Sequence, residues 1–338
     1  MKLTVPGNIL LAGEYAVLEE GGLGLACAVE PRVVVTTRAA ATLRIVGNFG
    51  RGAVTWPDDS PGSDLFEVVV RHLVETRSGF RPEELPVEVT VDSSTFYTAD
   101  GRKRGLGSSA AAVAALLAAL DTISHARRNE SDAACAARLF PESVALHRKL
   151  QGGRGSGYDV AASLFGGWGI FSGGIRPSWR PAQAGWADLS GARSSGTMDW
   201  RGLRLIDGRR PVSTVNAVVM YEKWRQEHGE AAAAFFRRSN GIVSALDSSE
   251  KMEEAATLLR NAARHGIELG EEIGVPAIPG FPPVPGWICK AAGAGNETVI
   301  CISDPGTPST NSRDKAPGEA LTVAREGLVI VRDAETGR

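Results

Sequence analysis

The sequence feature that most constrains the fold is a glycine and serine loop that leads straight into a long apolar helix. The loop is Gly105-Leu106-Gly107-Ser108-Ser109-Ala110, and the helical pattern that follows extends to about Ile123. Glycines let the backbone bend until successive N–H groups converge. The helix adds its unpaired N–H groups and the positive end of its dipole. The loop therefore predicts a phosphate-binding site, whose serine hydroxyls can bind a phosphate oxygen or a metal-bound water.

Spacing alone leaves two other interpretations of this loop open. It matches the loose GxGxxA pattern of dinucleotide-binding folds, although the basic residues before it, Arg102-Lys103-Arg104, do not resemble a buried parallel strand. It could also be an ordinary glycine turn before a helix. The chain has no Gly-Lys-Ser/Thr sequence, which excludes a Walker-type P-loop, and no HExxH or GxSxG motif.

Composition limits the class of protein. The 338 residues are enough for two domains, and the formal net charge of -2 gives no reason to expect nucleic acid or a membrane surface as a partner. The N-terminus lacks a signal-like segment, and the most apolar helix is too short to span a bilayer. Four cysteines without a CxxC pair predict no zinc site or disulfide framework and fit a reducing, cytoplasmic location: Cys27, Cys135, Cys289 and Cys301.

Strand-like and helix-like patterns are mixed along the whole chain, which predicts an α+β protein with domains at 1–180 and 200–338. An extended segment should turn at Pro6-Gly7. Further strands are expected at Val33–Thr37, Val87–Val91, Val215–Met220, Thr298–Ile302 and Leu328–Val331. Further helices are expected at Leu65–Arg77, Ser131–Leu150, Glu227–Ser239 and Ile242–Glu268. Residues from about Arg176 to Trp200 should be irregular surface structure near the domain boundary.

Two further glycine motifs have both a functional and a structural explanation. In Gly155-Ser156-Gly157-Tyr158-Asp159, with His147 and Gln151 shortly before it, Asp159 could accept a proton or orient a nucleophile. Asp159 could equally be a simple helix N-cap, and His147 a structural residue. Gly293-Ala294-Gly295 could be only a tight turn before a strand.

The order of these motifs resembles the GHMP kinase superfamily, the galacto-, homoserine, mevalonate and phosphomevalonate kinases. The matching segments extend from Pro6-Gly7-Asn8 to Gly293-Ala294-Gly295 and cover nearly the whole chain. Three details within it look like phosphomevalonate kinase: Gly13-Glu14-Tyr15-Ala16-Val17, Phe96-Tyr97 before Asp100-Gly101, and His147 followed by Gln151-Gly152 and Gly155-Ser156-Gly157-Tyr158-Asp159. The resemblance implies a ribosomal-protein-S5-domain-2-like first domain and a ferredoxin-like second domain.

The resemblance also implies a role for each matching residue. The loop from Gly105 to Ala110 would bind the phosphates of ATP, and Ser109 would bind Mg²⁺. Asp159, beside the phosphoryl acceptor, and Asn8, at the place of the family's lysine, are the candidate catalytic residues. The candidate substrate-binding residues are Glu14, Tyr15, Arg104, His147, Gln151, Ser156, Gly293, Ala294 and Gly295. The partners implied are ATP and a small phosphorylated acid, with the protein a monomer or a homodimer.

Three departures from the family pattern bear on the acceptor. Asn8 stands where the family usually has a lysine, and it supplies no charge. Asn296-Glu297 follows the third motif in place of a longer glycine run. The place of the magnesium-binding glutamate of mevalonate kinases is close to Arg148, so no second metal ligand is assigned.

The missing lysine matters less if the acceptor is already phosphorylated. A phosphomonoester has a second pKa of about 6, so near neutral pH it is an oxyanion that needs no deprotonation. Its difficulty is the repulsion between two anions, which cations must screen. Basic residues precede both central motifs, at Arg102-Lys103-Arg104 and at Arg148, Lys149 and Arg154, although such charges could simply be solvated.

The expected activity is ATP- and magnesium-dependent phosphorylation of 5-phosphomevalonate to 5-diphosphomevalonate, a step of isoprenoid synthesis. Mevalonate kinase or a sugar kinase of the same superfamily is the first alternative. A ligand-binding protein that kept the fold and lost the chemistry is the second, because Asn8 and Asn296-Glu297 depart from the family pattern.

Overall fold

A computed structural model describes residues 1–50, 52–58, 64–125, 130–184, 203–207, 214–277, 284–293, 298–304 and 317–332. The described chain forms two sheets and seven α-helices, which confirms the α+β class. No described helix has both the length and the apolar character that a membrane crossing would require. The expected cytoplasmic location stays a prediction.

The larger sheet has eight strands and contains both ends of the described chain. Its strands are β1 (Lys2–Ala12), β2 (Leu23–Ala39), β3 (Arg44–Asn48), β4 (Ala53–Trp56), β5 (Val87–Asp92), β6 (Trp168–Ser172), β7 (Ser178–Pro181) and β12 (Val329–Val331). The main order is β12-β1-β2-β5-β3-β4, and β6 pairs with the first half of β2 and with β7. Only the β3–β5 pair is parallel among these described strands.

Four helices accompany this sheet: α1 (Asp64–Thr76), α2 (Ser108–His125), α3 (Asp132–Leu150) and α4 (Tyr158–Phe165). In α1 the buried side chains Phe66, Val69, Val70 and Leu73 follow helical spacing. In α2, by contrast, every residue from Ala110 to Asp121 is buried, on all sides of the helix. Small alanines let α2 lie close to α3, α4 and β1, which fixes the start of α2 and the loop before it.

The smaller sheet is antiparallel, in the order β11-β8-β10-β9. Its strands are β8 (Arg204–Asp207), β9 (Trp287–Ala291), β10 (Thr298–Ser303) and β11 (Glu319–Ala320). The accompanying helices are α5 (Thr214–Glu227), α6 (Gly229–Ser248) and α7 (Met252–Glu272). One buried core includes side chains of both sheets and of α6 and α7. The division at 1–180 and 200–338 stays a prediction, although β12 pairs with β1 and so returns to the larger sheet.

Several predicted elements differ from the structure. Val215–Met220 is part of helix α5, where Ala217, Tyr221 and Trp224 are buried at helical spacing, so the strand prediction is wrong. The helices expected at Glu227–Ser239 and Ile242–Glu268 are observed as α6 (Gly229–Ser248) and α7 (Met252–Glu272), so the break between them lies after Ser248 and not before Ile242. Pro6-Gly7 is a register shift within β1 and not a turn. Ser178–Pro181 is a strand inside the segment expected to be irregular, most of which lies outside the described residues.

The prediction that no cysteines pair is also wrong. Cys289 and Cys301 form a disulfide across β9 and β10, where they are directly opposed partners. They are 12 positions apart in sequence, which is why no short cysteine motif marks the pair. Cys27 and Cys135 are buried free thiols.

Candidate active site

A cavity of about 170 Å³ lies where the glycine motifs of the chain meet. Residues from both predicted domains line it: β1, α2 and α4 belong to the first, and α5 and the residues just after β9 belong to the second. Most of the lining residues come from the motifs singled out by sequence: Asn8, Glu14, Tyr15, Lys103, Gly105, Gly107, Ser109, Gln151, Gly155, Ser156, Tyr158, Asp159 and Gly293.

The phosphate loop enters this cavity at the start of α2. Gly105 and Gly107 have positive φ angles of 70° and 72°, which favour glycine. Leu106 points into the core, whereas Ser109 faces the cavity. Ser108 and Ala110 are buried behind the loop. The first turn of α2 therefore directs its N–H groups and the Ser109 hydroxyl toward one space, as an anion site at a helix N-terminus requires.

Asn8 fixes the position of this loop. Its backbone N–H donates to the Leu106 carbonyl at 3.0 Å, and its side-chain amide donates to Ser163 Oγ at 3.0 Å. A Cβ atom on Gly107 would lie 2.0 Å from Asn8 Nδ2, so the loop packs directly on the amide. Asn8 thus connects β1, the phosphate loop and α4. It lies at the cavity, as the motif order suggests, but its side chain brings no charge.

Asp159 is in the first turn of α4 and uses its two carboxylate oxygens differently. Oδ1 accepts the Val160 N–H at 2.9 Å, whereas Oδ2 lies 3.3 Å from His147 Nδ1. Burial by itself would raise the pKa of Asp159, but the imidazole of His147 and the Val160 amide outweigh it and hold the pKa below its ordinary value. Gly157 occupies the N-cap position, so Asp159 is not the helix cap.

His147 lies behind the cavity wall rather than in the cavity. Its side chain is 3% exposed, and its Nε2 is 3.0 Å from Ser109 Oγ. Gln151 lines the cavity and places its amide nitrogen 3.3 Å from the same Nε2. His147 thereby joins Ser109 to Asp159, a contact that the predicted substrate-binding role does not include.

Arg148 shapes the loop before α4. Its guanidinium donates to the carbonyl oxygens of Gly155, Ser156 and Gly174 at 2.7–3.0 Å. Ser156 is buried at the cavity wall and accepts the Tyr158 N–H at 3.4 Å. Arg148 is therefore occupied by backbone oxygens and does not present its charge to the cavity.

A buried ion pair lies at the cavity, where Glu14 is one of the lining residues. Glu14 contacts the ammonium of Lys290 on β9, and Lys290 also donates to the Ala291 carbonyl at 2.7 Å. Burial raises the pKa of Glu14, and the charge of Lys290 offsets part of that rise. The adjacent Tyr15 has a positive φ of 60°, unusual for a residue with a side chain, and its ring lies 5.1 Å from that of Tyr221.

Within the basic run before the phosphate loop, Lys103 is the residue that lines the cavity. Arg102 is exposed and pairs with Asp100, and Arg104 pairs with Glu319. Lys103 forms no ion pair with any residue that the structure describes. The structure thus places Lys103, and not the predicted Arg104, at the cavity. The sequence indicated the run but held no signal to choose among its members.

The third motif contributes Gly293, which lines the cavity. A Cβ atom on Gly293 would lie 3.5 Å from the Tyr158 hydroxyl. Ala294 and Gly295, the other predicted residues of this motif, lie outside the described residues. Sequence reasoning missed Lys290, three residues before Gly293. A lone lysine in a strand carries no signal until the fold places it against Glu14.

Comparisons with known proteins agree with this arrangement. Residues 64–167, which include the phosphate loop and Asp159, match the family model of the GHMP kinases N terminal domain. This segment of the chain is similar to the N terminal domain of GHMP kinases. Similarity to this family and to curated phosphomevalonate kinases indicates that the protein is a phosphotransferase.

Individual relatives match most of the length of the chain. It is 28% identical over 327 residues to the phosphomevalonate kinase of Streptomyces sp. (strain CL190), covering 86% of this chain and 83% of the relative. Its fold matches that of Streptococcus pneumoniae phosphomevalonate kinase in complex with phosphomevalonate and AMPPNP, with a TM-score of 0.70, 16% identity and coverage of 96% and 98%. The Methanococcus jannaschii mevalonate kinase matches with a TM-score of 0.67, 13% identity and coverage of 96% and 98%.

Proposed function

We propose that this protein transfers the γ-phosphoryl group of ATP to 5-phosphomevalonate, forming 5-diphosphomevalonate and ADP. One observation carries the proposal: a phosphate loop, a carboxylate with a lowered pKa and the cavity-facing Lys103 line one cavity. An oxygen of the acceptor phosphate would attack the γ-phosphorus, and the bond from that phosphorus to the bridging oxygen of ADP would break. The curated Streptomyces relative supports the choice of acceptor.

The lowered pKa of Asp159 favours an acceptor that is already ionised. A general base works best when its pKa is near the working pH. Asp159, whose pKa is held below the ordinary aspartate value, is a weak base for an alcohol such as mevalonate. A phosphomonoester needs no such base, because its second pKa is about 6. Asp159 would instead hold positive charge near the reacting phosphates.

Lys103 is the best candidate for the cation that Asn8 does not supply. It forms an isolated antiparallel bridge with Tyr97 and lines the cavity two residues before the phosphate loop begins. An ammonium that no described carboxylate neutralises can offset the repulsion between the acceptor phosphate and the γ-phosphate. In this proposal Lys103 contacts the transferring phosphoryl group or the acceptor phosphate.

The residues at the cavity also fit a magnesium ion. Mg²⁺ prefers oxygen ligands and is commonly bound through one or two protein groups together with substrate phosphates. Ser109 and Asp159 both line the cavity and offer such oxygens. The described residues contain no cluster of three acidic, histidine or cysteine ligands that would hold a metal by itself. Ser109 and Asp159 would therefore hold Mg²⁺ together with the nucleotide, and the bound ion would neutralise charge on the phosphates.

Glu14, Tyr15 and Gly293, which also line the cavity, would receive the rest of the acceptor. Lys290 largely balances the charge of Glu14. A carboxylate paired in this way repels an anionic acceptor less than a free one would. Gln151 and Ser156 provide further polar groups on the cavity wall.

Activity measurements with a panel of acceptors test the proposal. ADP release would be followed with ATP, Mg²⁺ and one of mevalonate, 5-phosphomevalonate, homoserine or galactose. We expect turnover with 5-phosphomevalonate, and a diphosphate signal in the phosphorus NMR spectrum of the product. Turnover of mevalonate but not of 5-phosphomevalonate would instead establish mevalonate kinase activity, the alternative that the fold likeness also allows.

A further inference from the structure

An ion pair joins the loop before α4 to helix α5, with Nε of Arg154 3.2 Å from Oε2 of Glu222. Gly155 follows Arg154 in the chain and lines the cavity. Val218, one helical turn before Glu222, lines it too. Positions i and i+4 of a helix share one face, so Glu222 is next to the part of α5 that contributes to the cavity. The pair therefore connects the two predicted domains beside the site, although neither of its side chains lines the cavity.

The pair is also near a residue that would receive the acceptor in the proposed function. Tyr221, the residue before Glu222, has its ring 5.1 Å from the ring of Tyr15. Tyr15 lines the cavity, as does Gly155 beside Arg154. Because an arginine side chain is long and has several rotatable bonds, a guanidinium released from Glu222 can turn toward this part of the site.

The contact between Arg154 and Glu222 is easily exchanged. Their side chains are 39% and 38% exposed, and exposed ion pairs contribute little to stability because water and salt screen them. Glu222 accepts a hydrogen bond from Nε alone, and no other described residue forms a hydrogen bond with the guanidinium. The two terminal nitrogens of Arg154 can therefore donate to a further group.

Other cations near the cavity have partners or roles of their own. Lys290 is buried and pairs with Glu14, and Arg148 donates to backbone carbonyl oxygens. Lys103 is assigned above to the reacting phosphates. An acceptor such as 5-phosphomevalonate has a second anionic group, its carboxylate, and an unpaired charge is costly to remove from water. Arg154 is the cation beside the site that can exchange its partner for this group.

We propose that Arg154 is a specificity-determining residue that binds the carboxylate of the acceptor, which takes the place of the Glu222 carboxylate. A guanidinium can give a carboxylate two parallel N–H donors, so the new contact can be bidentate. Arg154 keeps a carboxylate partner throughout, and Glu222 is left hydrated. The inference rests on the proposed function only in that the acceptor carries a carboxylate, which is also true of mevalonate.

Steady-state kinetics with two acceptors test this assignment. One is 5-phosphomevalonate, and the other is 3-hydroxy-3-methylbutyl phosphate, which is the same molecule without the carboxyl group. Arg154→Ala should lower kcat/KM for 5-phosphomevalonate by about 10–100-fold, mainly through KM, the range expected for lost hydrogen bonds to a charged group. For the acceptor without a carboxylate, the same variant should stay within about twofold of the wild-type protein.

Glu222→Gln distinguishes carboxylate binding from the ion pair itself, because it breaks the same pair and keeps the arginine. It should raise kcat/KM for 5-phosphomevalonate, by up to about fivefold, since the acceptor no longer competes with Glu222. Arg238→Ala is the matched control, because Arg238 also forms a half-exposed pair, with Glu268, and neither residue lines the cavity. It should stay within about twofold for both acceptors.

Three results would overturn the assignment: an unchanged kcat/KM in Arg154→Ala, an equal loss for both acceptors, or equal losses in Arg154→Ala and Glu222→Gln. The last would mean that the pair only holds the two domains together. If the wild-type protein does not turn over 5-phosphomevalonate, the proposed acceptor is wrong. The same variants would then be compared with mevalonate and 3-methylbutane-1,3-diol, which differ by the same carboxyl group. Wild-type protein that phosphorylates only acceptors without a carboxyl group would refute the role of Arg154 as well.

Discussion

Asp159 provides the sharpest test at the level of single residues, because one substitution separates its two contacts. In Asp159→Asn, the side-chain oxygen can still accept the Val160 N–H, whereas the negative charge beside His147 is lost. We expect kcat to fall by about 100-fold or more, the range typical when a group that stabilises charge in the transition state is lost. Calorimetry should show metal-free AMPPNP affinity within a factor of two. Asp64→Asn, at the exposed start of α1, is the control, and full activity of Asp159→Asn would reduce Asp159 to a helix-stabilising role.

The lowered pKa of Asp159 also predicts how activity depends on pH. A carboxyl whose pKa is lower in the folded than in the unfolded protein adds stability above about pH 4, its unfolded value, and this stability is lost as the pH falls through the folded pKa. Asp159 therefore stays ionised between pH 5 and pH 8. The acid limb of kcat/KM in that range should follow the acceptor phosphate, with an apparent pKa of about 6. A phosphonate acceptor with a higher second pKa should shift this acid limb to higher pH. If the limb does not move, it reports the titration of a group of the enzyme and not of the acceptor.

Lys103 and Arg102 form a matched pair of neighbouring cations. Lys103 lines the cavity, whereas Arg102 is exposed and pairs with Asp100. Hydrogen bonds to charged groups contribute about 1.5–3 kcal/mol, so Lys103→Ala should lower kcat/KM for 5-phosphomevalonate by about 10–100-fold. Arg102→Ala should stay within about twofold. Steady-state kinetics of the two variants decide the matter, and equal effects would mean that the basic run acts only through its overall charge.

At the scale of single residues, the sequence predicted which residues line the cavity better than it predicted which residues pair with each other. The motif order indicated Asp159, Ser109 and Asn8, and all three line the cavity. It could not show that Arg104 pairs with Glu319 or that Lys290 pairs with Glu14, because these partners are separated by 215 and 276 positions along the chain. Whether a charge is free depends on such distant contacts, which no local pattern records.

At the scale of elements, the phosphate loop predicts a difference between two glycine substitutions. Gly107 and Gly153 both have positive φ, 72° and 83°, but a Cβ on Gly107 would lie 2.0 Å from Asn8 Nδ2, whereas one on Gly153 would meet no atom within 4 Å. Gly153→Ala should therefore cost only the backbone strain of about 1 kcal/mol. Gly107→Ala should lower AMPPNP affinity by at least about 10-fold, because the loop must move off Asn8.

A second substitution identifies the cause of that effect. Asn8→Ala removes the atoms that a Cβ on Gly107 would meet. The double variant should therefore bind AMPPNP more tightly than Gly107→Ala alone, as measured by calorimetry. If the double variant binds no better, the loss comes from the φ angle and not from the contact.

Local sequence predicted the type of element correctly where the hydrophobic residues repeat with a clear period. It predicted the type wrongly where tertiary packing determines whether a segment is a helix or a strand. The spacing of Phe66, Val69, Val70 and Leu73 predicts α1, and the structure agrees. The run Val215–Met220 has the composition of a strand, yet it is helical because its buried side chains face a cluster of aromatic rings that includes Tyr15 and Phe235. β-Propensity is weak evidence when the buried face repeats with a helical period.

At the scale of the whole molecule, the Glu14–Lys290 pair connects the two sheets and gives a prediction on stability. Removing one partner of a buried pair leaves the other charge without compensation, which typically costs about 3–5 kcal/mol. Lys290→Met should lower the free energy of unfolding by about that amount, measured by urea unfolding with tryptophan fluorescence. The double variant with Glu14→Gln should recover most of the loss.

Arg238→Met is the control for this prediction, because its pair with Glu268 is about half exposed on both sides. Exposed pairs contribute about 0–1 kcal/mol, so this change should be small. Equal losses for Lys290→Met and Arg238→Met would mean that burial does not set the strength of the Glu14–Lys290 contact.

The pairing of β12 with β1 has a consequence for synthesis of the protein on the ribosome. β1 emerges long before its edge partner, Val329–Val331, because the paired residues Thr4 and Val329 are 325 positions apart along the chain. At about 5–20 residues per second, β1 waits on the order of tens of seconds for that partner. An uncovered strand edge invites pairing with other chains. Nascent chains that stop before Val329 should therefore be prone to aggregate even when every residue of the cavity has already been made.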